Sequence, residues 1–441
     1  MTAGRDDRLL ALLDAGRADE AARWIALQCA KGTAAKDIAE QLAVALASRS
    51  GAWQGCVIAL AGAVRASSEL DASRSGLPLT QSAALTSGLT RPGGEPKADA
   101  TADPNALIEA LYEEPITRAQ HAPLIDAVVE LSEIIGSDVC APLVSRVMQL
   151  LNAPPTAPNG TEQHAEHLAL LEEQWERLHG AEDPGKADRF QEPKFRKHLL
   201  DGTPEAAFRA TAKALAFGVP RVTLAGSLGL AAAERALRFD AEIALDRRRK
   251  EDWRDPLRSF EIAAAVTRLL RRSDSPRWAK LLLTAVWLVN GQQALDAKAS
   301  RRFELPEAAT IAQTWDHGPE LAKIEARVLA GDGPGAIALL RGYLLMVLPV
   351  QPLCQQLRQI AFDDLGANDN AQLSAMTALL AGVEVFASLG DNPHREIVLG
   401  AAFRLATAPL GERRPRAKAL EVIDALDGMF ASELRASRLW T

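Results

Sequence analysis

Two tyrosines and eleven phenylalanines are few for 441 residues, and all aromatics together make up only 5 %. β-Branched residues are scarce as well, so the side chains that favour a pleated sheet are not available in number and a strand-rich fold is excluded. The four cysteines (Cys29, Cys56, Cys140 and Cys354) lie far apart, with no Cys-x-x-Cys and no Cys/His cluster. That pattern excludes a disulfide framework and a cysteine-built zinc or iron–sulfur site, and it fits reduced thiols in a cytoplasmic protein. The longest apolar runs, Leu281–Val289 and Tyr343–Val350, fall well short of the ~20 residues of a membrane span. The N-terminus enters an amphipathic helix and carries no signal-peptide pattern. A net charge of −7 provides no overall field for nucleic acid, which is not an expected partner. No GxSxG, HExxH or EF-hand pattern occurs, and Gly331–Gly335 lacks the Lys-Ser/Thr of a phosphate loop, so no motif indicates a cofactor.

What remains is alanine and leucine, which lose little side-chain freedom in a helix. The expected fold is all-α, a multi-helical array of antiparallel helix hairpins with internal repeats. The chain divides into an N-terminal helical region (1–66), a linker or loop rich in Ser, Gly, Pro and Thr (67–104), and a helical region (105–151). A Pro-rich break with a charged helix (152–192) and a C-terminal multi-helical domain (193–441) complete it. Several turns place Pro just after a Thr, Asn, Asp or Ser cap, as at 202–204 and 331–334.

The repeat is read by matching Gly16, Gly202 and Gly331. From each, a helix runs to a stop sixteen residues on, at Gly32, Gly218 and Val347. A second helix then puts Ile38 and Leu42, Leu224 and Leu228, or Leu353 and Leu357 at equal offsets. A helix pair of this kind cannot bury both faces alone, so copies must pack on neighbours. The copies start 186 and 129 residues apart, so each opens a larger helical unit rather than a short-period solenoid.

Candidate chemistry is sparse. His164 and His167, three apart on the charged helix, share a face and are possible metal ligands, although no matching pair stands out elsewhere. Arg235–Lys280 carries thirteen Lys or Arg against eight Asp or Glu, with Trp253 and Arg254 beside the run 247–250. Basic residues with an interleaved aromatic can hold phosphates, but the interspersed acids favour local ion pairs. Glu234, Arg235, Arg238, Asp240 and His394 are the charged residues expected to be paired or functional amid Ala-rich helices.

Residues 199–240 carry Gly202, Ala206, Gly218-Val219-Pro220, Leu224, Ala231-Ala232-Ala233-Glu234-Arg235 and Arg238-Phe239-Asp240. The segment resembles a family of large helical bacterial proteins encoded as partners of a Rieske-type iron–sulfur module and similar to questin-oxidase-like proteins. The resemblance implies a component of a redox system. The family tends to carry histidines at the starts of later helices, where this chain has Arg258, Ser259 and Asn290 and keeps only His394. The residues themselves favour a different class, a helical interaction or scaffold protein that associates with a partner protein or with itself.

Overall fold

The computed structural model describes residues 8–71, 74–90, 103–153, 161–179, 184–246, 248–273, 275–311, 317–366 and 368–408, with the backbone alone at 161–164, 176–179 and 184–185. The first helices are α1 (Arg8–Asp14), α2 (Ala18–Ala30), α3 (Ala35–Ala47), α4 (Trp53–Ser68) and α5 (Leu77–Ser87). Next come α6 (Pro104–Glu113), α7 (Pro115–Arg118), α8 (Ala122–Ile135), α9 (Ser137–Asn152) and α10 (Thr161–His179). They are followed by α11 (Glu192–Asp201), α12 (Pro204–Ala216), α13 (Arg221–Arg238), α14 (Ala241–Leu245), α15 (Arg254–Arg272) and α16 (Trp278–Gly291). The last are α17 (Gly318–Leu329), α18 (Gly333–Leu345), α19 (Val350–Ile360), α20 (Asp369–Ser388) and α21 (Glu396–Ala406). The fold is all-α: no strand occurs among the described residues, where isolated bridges join Ser50 to Thr90 and Phe239 to Asp296.

Capping follows from the local sequence. The Thr203 hydroxyl accepts the N–H of Ala206 at the start of α12, and Asp332 accepts that of Gly335 at the start of α18. Apolar faces then join the helices into one contiguous core running from Leu9 to Leu405.

One expectation is corrected. The stretch 67–104 is not a loop throughout, because α5 occupies its middle and buries Leu79, Ala83 and Leu85 against α2 and α4. Its Ser and Thr content suggested a linker, yet Thr86 donates to the Ser82 carbonyl and Ser87 to that of Ala84. These hydroxyls are satisfied by carbonyls one turn back in the same helix, so they do not prevent its burial, while the buried Ser82 hydroxyl has no partner among the described residues. Residues 72–73 and 91–102 of that stretch, and 154–160 of the expected Pro-rich break, lie outside the described residues.

Four helices form the centre. α4 packs on α8, α8 on α15, α15 on α20, and α20 back on α4, closing a ring. The ring is parallel. Gly55 meets Leu373 and, seven residues on in each helix, Gly62 meets Leu380. Glu261 bonds Thr377, and seven residues on Arg268 acts on Glu384. α3, α9, α13 and α21 flank it from outside. α20 is the one described helix long and apolar enough to cross a membrane, and 78 % of its apolar window is buried inside the protein.

Candidate functional site

Parallel packing places the first turns of α4, α8 and α15 and the second and third turns of α20 around one mouth, with a layer of charged residues beneath it as a floor. The floor is ionic. Arg65 on α4 lies 3.1 Å from Glu130 on α8 and 3.2 Å from Glu384 on α20. Arg268 on α15 pairs with the fully buried Asp126 on α8, which Arg272 also approaches to 3.6 Å. Each helix thus contributes charge, and positive helices alternate with negative ones around the ring. Burial lifts the Glu130 carboxyl above its ordinary range, with Arg65 opposing. Burial acts the same way on Glu384, but Arg65, Arg268, Arg358 and Arg271 outweigh it and hold that carboxyl low.

The mouth is a cavity of about 220 Å³ whose walls come from all four helices. Gln54 stands on α4, His121 just before α8, Arg254, Arg258 and Glu261 on α15, and Ser374 and Thr377 on α20. Arg254 is held in a fork by Asp252, at 2.7 Å, so its charge is already answered. Glu261 is the one acidic residue on the described walls. Burial drives its carboxyl well above the usual range, against a hydrogen bond from Thr377 and the charges of Arg258 and Arg268. Burial also lowers the His121 imidazole, and Arg258 lowers it further. Both shifts favour the uncharged form of the group concerned. α4 begins without a side-chain cap.

Of the candidate site residues named from the sequence, Arg254 lines this cavity, and so does Arg258, named there as a departure from the family pattern. Glu234, Arg235, Arg238 and Asp240 instead form a clamp at the end of α13. Arg235, 1 % exposed, lies 2.6 Å from Asp296 and donates to the Leu200 carbonyl at 2.7 Å. Arg238 meets Asp201 at 2.6 Å and Glu234 at 2.7 Å. Asp240 caps α14 and meets Arg301 at 2.9 Å. Trp253 is buried against Phe239, with Arg404 over its ring at 5.0 Å. The His394 N–H donates to Asn392 in the turn before α21.

His167 is buried and stacked on Trp287 at 4.5 Å, with Phe208 edge-on at 5.4 Å. The His164 side chain lies outside the described residues, and no group of three His, Cys, Asp or Glu that could hold a metal occurs among them.

His121, Glu261, Ser374 and Thr377 went unnoticed in the sequence because they come from three separate helices. One available signal was Arg258, marked by the family resemblance as a position at a helix start. No family model matches this chain, and no match was found among curated proteins or among solved structures.

Proposed function

We propose that the protein binds a small anion, a carboxylate or phosphate ester, at the mouth of its four-helix ring. The observation that carries this reading is the convergence of Arg258 with first-turn residues of α4, α8 and α15 on a cavity whose one described acid has its carboxyl raised by burial. Helix N-termini favour negative charge, and an arginine fork matches a carboxylate or phosphate edge. The Ser374 hydroxyl and the amide of Gln54 add donors without adding charge.

The test is a titration of the full chain with acetate, succinate, inorganic phosphate and glycerol phosphate, read by thermal shift and calorimetry. Saturable binding of one class is expected, with at least a tenfold loss in Arg258→Ala. Absence of binding by every anion, or equal binding by R258A, would overturn the reading.

We further propose that the three glycine-anchored segments are copies of one helical unit. Three thirteen-residue helices, α2, α12 and α18, each begin two residues after Gly16, Gly202 and Gly331. Each ends at a positive-φ residue, Gly32, Gly218 or Val347, and α3, α13 and α19 then begin at the same offset. The stops share one pair of hydrogen bonds: in the first, Gly32 donates to Cys29 and Thr33 to Gln28, and the other two repeat it. The packing within the unit differs from a simple pair, because the preceding helix (α1, α11 or α17) packs on both partners.

A further inference from the structure

A second surface, remote from the mouth in sequence and built on different helices, carries an independent proposal. α11 and α12 enclose a groove of about 410 Å³ that opens to solvent. Its floor on α12 is Ala206, Ala210 and Ala214, four residues apart, a line about 12 Å long at 1.5 Å per residue. Small side chains here let another helix approach closely. Exposed Arg209 and Lys213 stand along one side, and exposed Lys194 and Arg189 along the other. No acid lines the groove among the described residues, although the protein as a whole has a net charge of −7. Arg209 meets Glu205 at 2.6 Å, but both side chains are about half exposed, so this pair competes weakly with an incoming carboxylate.

We propose that this groove docks an acidic amphipathic helix of a partner protein, with apolar residues on the alanine floor and carboxylates against the two basic walls. The length suits anchors at i, i+4 and i+7 of a bound helix. The aromatic residues argue against nucleic acid as the occupant. Phe195 is buried and packs on Phe190, ring centres 5.4 Å apart, so these rings face each other and not a base. Lys213 lies 5.4 Å from the ring of Phe217, which occupies that face with a cation of the protein's own. A nucleic-acid strand also needs a continuing row of cations beyond the groove ends. The inference does not depend on the small-anion reading, because no residue lines both cavities.

The experiment is fluorescence anisotropy on the full chain with four labelled probes. The first is an 18-residue helical peptide with Leu at i, i+4, i+7 and i+11 and Glu on the flanks. The others are a scrambled peptide of the same composition, a version with Lys in place of Glu, and a twelve-nucleotide thymidine strand. The acidic helix is expected to bind at least tenfold more tightly than each of the others. Lys194→Glu with Lys213→Glu should weaken it by tenfold or more. Ala210→Trp, which fills the floor, should abolish binding while the urea midpoint and anion binding at the mouth stay unchanged. Equal affinity for the scrambled peptide, preference for the oligonucleotide, or full binding by A210W would each overturn the proposal.

Discussion

Arg65 and Glu384 approach to 3.2 Å across the α4–α20 contact, the two side chains only 22 % and 15 % exposed. The pair belongs to the floor of the ring, and its value lies in orientation as much as in energy. Four parallel helices have their dipoles aligned, an arrangement that repels at both ends. Within the ring the cations Arg65, Arg268 and Arg272 are balanced by Glu384, Asp126 and Glu130. An antiparallel or slipped helix would leave these charges buried without partners. The floor therefore specifies the parallel register on which the mouth depends.

Removing one member should cost more than removing both. Glu384→Gln leaves Arg65 and Arg358 facing a neutral amide and should lower stability by about 3 kcal/mol, the usual scale for breaking a buried pair. Arg65→Met together with Glu384→Leu replaces charge by apolar volume and should recover part of that loss. Urea unfolding of the two single variants and the double variant measures the coupling. Strict additivity would show that the pair contributes nothing to the ring.

Anion binding at the mouth should weaken as pH rises. Glu261 has its carboxyl raised by burial, so it ionises only above the ordinary glutamate range, and its new charge then opposes an incoming anion. His121, lowered by burial and by Arg258, gains its proton only in acid, which strengthens binding there. Both effects run in the same direction. The raised carboxyl also means that its contribution to stability is complete below the ordinary glutamate value and is lost as pH rises through the raised one. Glu261→Gln should flatten the upper part of both profiles. Calorimetric titration with the anion that binds, and thermal melting without it, over pH 5 to 9 check the two separately.

The helices were legible in the sequence because local rules decide them. Alanine and leucine content, Thr203 and Asp332 as caps, and Gly32 and Gly218 as stops each act within a few residues. α5 was missed for a local reason too, since Thr80, Thr86 and Ser87 bond to carbonyls of their own helix. The mouth was not legible. His121 and Glu261 are 140 positions apart in the chain, and only the closing of the ring brings them to one cavity. The charges singled out instead, Arg235 and Arg238, did prove buried and paired; their partners Asp201 and Asp296 lie on separate segments that no spacing rule connects to them.

Val347 offers a direct check of the repeat. It is the one non-glycine described residue with positive φ, at 54°, and it occupies the position of Gly32 and Gly218. A left-handed conformation costs a β-branched residue on the order of 1–2 kcal/mol, and glycine gives back part of that in chain entropy. Val347→Gly should therefore raise stability by about 1 kcal/mol, and Val347→Asn by a similar or smaller amount. Because the side chain is 88 % exposed, little packing is lost. A fall in the urea midpoint for both variants would show that valine is favoured there by contacts, and that the turn is not equivalent to the other two.

The approach of α20 to α21 allows a test of how closely the centre is packed. A Cβ added at Gly382 would collide with the Cβ of Ala402, which belongs to a rigid helix and has no rotamer to escape through. The neighbouring Phe260 ring, 3.8 Å away, closes off a sideways shift. Gly382→Ala should thus force the helices apart and cost about 2 kcal/mol, despite alanine's better helix propensity. Ala402→Gly alone opens a small gap and weakens its helix by about 1 kcal/mol. In the double variant the methyl has simply moved from α21 to α20, so the collision disappears and the propensity changes cancel. The double variant should then be close to the parent, a coupling of about 3 kcal/mol between residues that touch at a single point. Thermal and urea unfolding of the three variants measure it; a double variant as unstable as the sum of the singles would mean that the helices are not in contact there.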